Sequence, residues 1–415
     1  MTQTATQGTL AWENHFSQRA GGVGSSVVRD MLKIIRQPGY ISLAGGMPPP
    51  ELFPIDACRT AAERVLTRHG QEAMQYGLTA GYPPLREFVV RWMKRTMDVE
   101  LAVDNVLITS GGMQGMDLCG RLLLNAGDSI LTESPTFLGA LQVFAVNQAV
   151  CVPIPLDDKG VQIEALEHKL AARPAFMYLI PTFQNPSGVT LSLERRQAVI
   201  ALAAQYQVPI VEDDPYSHLR FAGEPLPSLL ALDARRNQGQ ELRGNVIYVG
   251  SFSKILGPGL RVGWLVAPAN VIQRLDVLKQ GTDLHASVLA QMIVHEVVRD
   301  GEFLPRHVEK LRAALRQRRD AMIAAMERHF PPGLHWVNPN GGMFVWVTLP
   351  PSLDGNELLK QALQQKVAFV PGYSFFPAGG GHNTMRLNFS YPLPDVIETG
   401  IQRLGQILKG RMTKD

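Results

Sequence analysis

From about residue 84 the chain alternates short apolar runs with helix-periodic segments, and this constrains the fold more than any other feature. PLREFVVRWMKRTM has helical spacing. DNVLITS is a β-rich run that stops at the glycines of GGMQG, and MQGMDLCGRLLL is the helix that follows. DSILTE, AVCVPIPL, AFMYLIP, VPIVEDD, NVIYVGS and VGWLVA read as further strands. TFLGALQVFAV, VQIEALEHKLAA and LSLERRQAVIALAAQY read as helices between them. Apolar strands of this length interleaved with helices imply a mostly parallel sheet covered on both faces. Such sheets collect ligands at the carboxyl ends of their strands.

Beyond about residue 285 the pattern changes. Two long helices (HASVLAQMIVHEVV and FLPRHVEKLRAALRQRRDAMIAAMERHF) precede the strands GMFVWVTL, VAFVPG and TMRLNFS and a closing helix, PDVIETGIQRLGQILK. Before the alternation begins, VVRDMLKIIR and CRTAAERVLTRH are helical and GYISLAGGMPPPELFP is extended. The expected architecture is α/β. A large domain over 63–290 holds the mostly parallel sheet, and a smaller α+β domain is assembled from 1–62 and 291–415.

Composition narrows the class. With 45% hydrophobic and 19% charged residues the chain is globular rather than disordered. Forty basic against 37 acidic residues leave a net charge of +3, without the basic stripe of a nucleic-acid binder. The basic run LRAALRQRRD reads as a solvated helix face. Three cysteines (Cys58, Cys119, Cys151) cannot form a disulfide framework, so a reducing cytoplasm is expected. The first residues, MTQTATQGTLAWENHF, lack the basic and apolar regions of a secretory signal. No apolar stretch approaches the length of a membrane span.

The cluster with chemical content is SFSK at 251–254, directly after the strand NVIYVG and followed by ILGPGLRVGW. An ordinary loop lysine is one reading. Ser251 and Lys254 also fit S-x-x-K, with serine as nucleophile, but the S-D-N and K-T-G elements that accompany it are absent. A third reading is a Schiff-base lysine holding pyridoxal phosphate, with Ser251 and Arg261 clamping the phosphate and Ser253 among the residues that bind the cofactor. A desolvated lysine beside cations is kept neutral and nucleophilic, and an arginine fork suits a phosphate.

This third reading requires partners at other strand ends. Asp213, closing VPIVED, offers a carboxylate to a protonated pyridine nitrogen. Tyr216 and Asn185 offer hydrogen bonds to the ring oxygen. Gly111, Gly112 and Met113 stand between a strand and a helix, where backbone amides and the helix dipole favour an anion. Phe137 follows the next strand and could stack on the ring.

With these motifs in place the chain resembles the fold-type I pyridoxal-phosphate aminotransferases of class I/II, and within them the 2-aminoadipate and kynurenine aminotransferase group. The likeness runs from about residue 25 onward through ISLAGGMPPPELFP, MQYGLTAGYPPLRE, ITSGGMQG, PTFQNPSG, VEDDPYSHLRF, SFSKILGPGLRVGW and MRLNFS. It implies that Lys254 forms the Schiff base and shuttles the substrate proton. Arg386 would hold the α-carboxylate, with Gly45 and Gly46 near the substrate. Tyr76 would reach the phosphate of the neighbouring subunit in a homodimer. Arg29, in the helix VVRDMLKIIR, would meet a distal carboxylate. Relatives often carry a polar pair where this chain has Gly112 and Met113, so only backbone amides remain there for the phosphate.

The expected activity is ping-pong transfer of an amino group between an α-amino acid, of the 2-aminoadipate, aromatic or branched-chain class, and a 2-oxo acid such as 2-oxoglutarate. A lyase or decarboxylase of the same fold is the alternative. A transcription regulator with this domain behind a winged helix-turn-helix would need roughly 60 more residues in front, which the position of the first motifs disfavours.

Overall fold

The computed structural model describes residues 10–21, 39–237 and 242–412. Its larger sheet has eight strands in the order β2-β9-β8-β7-β6-β3-β4-β5. These are β2 (Val106–Thr109), β3 (Ser129–Ser134), β4 (Val150–Asp157), β5 (Gly160–Val161), β6 (Met177–Leu179), β7 (Ile210–Asp213), β8 (Val246–Ser251) and β9 (Gly263–Val266). The run from β4 through β3, β6 and β7 to β8 is parallel. β9 is antiparallel to both of its neighbours, β8 and β2, so β2 points the same way as the parallel core. The carboxyl ends of six strands therefore share one edge, and the residues just ahead of β9 lie on that edge too.

Burial explains the unbroken apolar strands. Met177, Tyr178, Leu179, Ile210 and Val211 have no exposed surface, as expected for strands covered on both faces. The covering helices start where the sequence supplies a cap or a sharp turn. The helix Leu193–Tyr206 is capped by Ser192, whose Oγ accepts from the Arg195 amide at 3.3 Å. The helix α1 (Gly112–Leu123) follows Gly111, which sits at φ +84° and has no side chain to cap it. A Cβ at Gly111 would lie 2.6 Å from Arg261 Nη2, so glycine is required both by the turn and by the arginine.

A second sheet, ordered β10-β11-β14-β13, is antiparallel: β10 (His335–Trp336), β11 (Phe344–Thr348), β13 (Val370–Pro371) and β14 (Thr384–Asn388). The segment expected as one strand, VAFVPG, divides. β12 (Val367–Ala368) pairs with β1 (Ile41–Ser42), and β13 joins β14. This ties the chain near residue 41 to the C-terminal part. The expected boundaries at 62/63 and 290/291 fall inside the helices Ile55–Ala73 and Val288–Val298, which pack on each other. The expected helix VVRDMLKIIR lies outside the described residues. No helix among the described residues is long and apolar enough to cross a membrane.

Candidate active site

The shared strand edge opens into a cavity of about 380 Å³. It is lined by Gly46, Gly112, Met113, Phe137, Asn185, Asp213, Tyr216, Ser251, Ser253, Lys254, Arg261 and Arg386, all anticipated from sequence. They arrive from several different turns: Gly112 and Met113 after β2, Phe137 after β3, and Asn185 after β6. Asp213 ends β7 and Ser251 ends β8. The left-handed Arg261 (φ +53°) follows the short 3-10 turn Pro258–Leu260 just before β9. Arg386 comes from β14 of the second sheet, so the cavity lies between the two sheets.

Lys254 Nζ donates to the Gly46 carbonyl at 2.7 Å. Burial, then the charges of Arg386 and Arg261, bring its pKa down to about 8. Asp213 lies deep, and burial pushes its carboxyl up to about 7; the Tyr178 hydroxyl, donating to Oδ2 at 2.7 Å, works against that rise and Asp214 adds to it. Arg386 is 4% exposed and lowered to about 10 by burial. Its Nη1 donates to Asn185 Oδ1 and its Nη2 to the Ala44 carbonyl, each at 2.7 Å, and its Nε is buried without a partner. The guanidinium also lies over Phe344 (4.2 Å) and Phe375 (5.0 Å).

A second group of lining residues is built for an anion. The amides of Gly112 and Met113 open a helix with no side-chain cap. Ser251 and Ser253 hydroxyls pair at 2.8 Å. Arg261 Nη2 anchors on the Ser110 carbonyl at 2.9 Å. These groups suit pyridoxal phosphate: an amine for its aldehyde, a buried carboxylate for its ring nitrogen, and amides, hydroxyls and an arginine for its phosphate. Arg386 remains as a second cation for a carboxylate.

Four anticipated residues are not in the lining, and of the glycine pair only Gly46 reaches it, not Gly45. Gly111 stands behind Arg261 as the turn residue. Tyr76 is 79% exposed, its ring edge-on to His285 with centroids 5.8 Å apart. Arg29 lies outside the described residues. Sequence reasoning missed Tyr178, Phe344 and Phe375, which touch Asp213 or Arg386 from other strands and turns. It also missed Glu133, buried at the end of β3. Glu133 accepts from Gln184 Nε2 (3.2 Å) and the Ile180 amide (3.0 Å), and Gln184 in turn accepts from Ser187, so the Asn185 turn is pinned. Burial lifts Glu133 to about 8.

The family model "Aminotransferase class I and II" matches residues 38–404. The chain is 42% identical to aromatic-amino-acid aminotransferase 1 of Thermococcus litoralis, over 98% of this chain and 97% of that one. It is 41% identical to the 2-aminoadipate transaminase of Thermus thermophilus, over 97% and 98% respectively. The crystal structure of the α-aminoadipate aminotransferase from T. thermophilus, complexed with N-(5'-phosphopyridoxyl)-L-leucine, superposes with a TM-score of 0.90 at 40% identity. That match covers 98% of this chain and 100% of the other. A full-length match of this kind, on a cavity already fitted to pyridoxal phosphate, places the chain in the class I and II aminotransferases, as a pyridoxal-phosphate-dependent enzyme.

Proposed function

We propose that this aminotransferase passes an amino group from an aminoadipate-like, aromatic or branched-chain α-amino acid to a 2-oxo acid such as 2-oxoglutarate. The observation that carries this reading is one cavity holding the Lys254 amine, the Asp213 carboxylate and two arginines, Arg261 anchored on Ser110 and Arg386 on Ala44 and Asn185. When bound, pyridoxal phosphate supplies an aldehyde that takes up the amino group and a ring that spreads the charge left when the α-proton departs. Arg386 orients the substrate through its carboxylate. Lys254, neutral in part near pH 8, takes the α-proton and returns it. Asp213 holds positive charge at the ring nitrogen. Ser251, Ser253, Arg261 and the amides of Gly112 and Met113 grip the phosphate, and Phe137 covers the ring.

Mixing cofactor-loaded protein with single amino acids tests this. The cofactor absorption should fall with 2-aminoadipate, an aromatic or a branched-chain amino acid, and should return on addition of 2-oxoglutarate. Loss of colour that no 2-oxo acid reverses, with release of carbon dioxide or ammonia, would favour the lyase or decarboxylase alternative.

Met74, Tyr76 and Leu78 expose 75%, 79% and 62% of their surface within five residues. Such an apolar strip is best accounted for by a partner, which supports a homodimer whose Tyr76 enters the neighbouring site. Sedimentation should give twice the chain mass, and Tyr76→Glu should give single chains; a single-chain mass for the unaltered protein overturns the dimer. The three cysteines are free, in keeping with a reducing cytoplasm. A domain division just ahead of the helix Ile55–Ala73 fits the packing better than one inside it.

A further inference from the structure

The Asp213 carboxylate depends on one side-chain donor among the described residues. Tyr178 lies on β6, beside β7, with no exposed surface. Its hydroxyl donates to Asp213 Oδ2 at 2.7 Å across 35 residues of sequence. The ring is fixed in turn by Phe144, edge-on with centroids 5.3 Å apart at 71°. A phenol in the middle of a buried apolar strand is costly unless its hydroxyl is satisfied, and here it is spent on the carboxylate. The other titratable groups around Asp213 are Asp214, Glu133 on β3, Cys119 on α1, Tyr216 and Tyr248 on β8. These are acids or neutral hydroxyl and thiol groups, and none brings Asp213 a positive charge.

We propose that Tyr178 is the positioning residue for Asp213: by occupying Oδ2 it fixes the carboxylate rotamer and leaves Oδ1 to the ring nitrogen of the cofactor. Two consequences come from the one hydrogen bond. A donor on Oδ2 favours the ionised carboxylate, which a protonated ring requires. It also removes a torsional freedom that the carboxylate would otherwise lose on binding. Tyr178 touches neither substrate nor cofactor in this arrangement and acts only through Asp213. The proposal rests on the reading of Asp213 as the partner of the ring nitrogen.

The test measures cofactor affinity rather than turnover. Full-length protein stripped of cofactor is titrated with pyridoxal phosphate and with its 1-deaza analogue, in which C–H replaces the ring nitrogen. Unaltered protein, Tyr178→Phe and Asp213→Asn are compared by equilibrium dialysis. Tyr178→Phe should bind pyridoxal phosphate about tenfold more weakly, the scale of one lost hydrogen bond to a charged group. It should bind the analogue within about twofold of the unaltered protein. Equal weakening of both ligands, or of neither, overturns the proposal. If Asp213→Asn also fails to distinguish the two ligands, the Asp213 reading itself is wrong. If Asp213→Asn distinguishes them and Tyr178→Phe does not, only Tyr178 is misassigned. Phenylalanine keeps the ring against Phe144; should it nevertheless unfold the protein, 3-fluorotyrosine at position 178 retains the group. Its more acidic hydroxyl must alter affinity for pyridoxal phosphate and leave the analogue unchanged, and no change for either overturns the proposal.

Discussion

Lys254→Ala is expected to lower the rate of amino transfer by at least about 10⁴-fold, the upper range for loss of a positioned acid–base group, while the stripped protein still binds pyridoxal phosphate through its phosphate. The reason is geometric. Among the described residues Lys254 is the one amine lining the cavity, and it is held there by the Gly46 carbonyl. Stopped-flow measurement of a single half-reaction checks it, and residual turnover within about tenfold of the unaltered enzyme would remove Lys254 from the chemistry. The pH dependence has a definite sign. The folded amine titrates near 8, below its ordinary 10.5. Capture of the cofactor aldehyde needs the neutral amine, so the loading rate should rise about tenfold per pH unit up to about 8 and then level off. For stability, the unfolded chain binds more protons between about 8 and 10.5, so cofactor-free protein gains stability as pH rises through that window. Below about 8 the amine is charged in both states and the cost of burying it is fully present. Lys254→Met should therefore stabilise cofactor-free protein at pH 7 by on the order of 1–2 kcal/mol, read as a raised Tm, because the amine is only partly shielded. The gap should close by about pH 10.5.

How much of this was legible in the sequence depends on the reach of each contact. Residues at strand ends were readable because a parallel sheet gathers those ends on one edge. Asp213, Ser251 and Lys254 each close or follow an apolar run, and that position in the chain carries the information. Tyr178, Phe344 and Phe375 were not readable, because each matters through a partner that is distant in sequence. Tyr178 sits in an apolar strand like any core residue, and only its register beside β7 brings it to Asp213. Phe344 and Phe375 read as core until Arg386 is found over both rings. Arg386 itself was identified through resemblance, since an arginine inside a strand has no local signature of a substrate site. The antiparallel course of β9 was equally hidden, because an apolar run has no direction until its neighbours are known. So was the division of residues 367–371 between two sheets, since five apolar residues pair wherever backbone donors are open.

Arg386→Gln should reduce kcat/KM for α-amino acids by about 10³-fold, the scale of breaking a buried charge-assisted contact. A guanidinium has five N–H donors. One on Nη1 goes to Asn185 and one on Nη2 to Ala44, so three remain, including the buried Nε that finds no acceptor. A buried cation with unspent donors, its pKa lowered to about 10 by lost hydration, gains most from an incoming carboxylate. Arg386→Lys should be nearly as damaging. A single ammonium cannot serve Asn185, Ala44 and a carboxylate in one plane, and it loses the stacked contact with Phe344 and Phe375. The control is a primary amine that lacks the carboxylate. Its slow half-reaction should change by less than about threefold in Arg386→Gln, because that substrate never used the lost donors. If amine and amino acid lose rate equally, Arg386 serves the cavity's architecture through Asn185 rather than the substrate. The carboxylate would then have to be held by another cation, for which Arg261 is the candidate already in the lining.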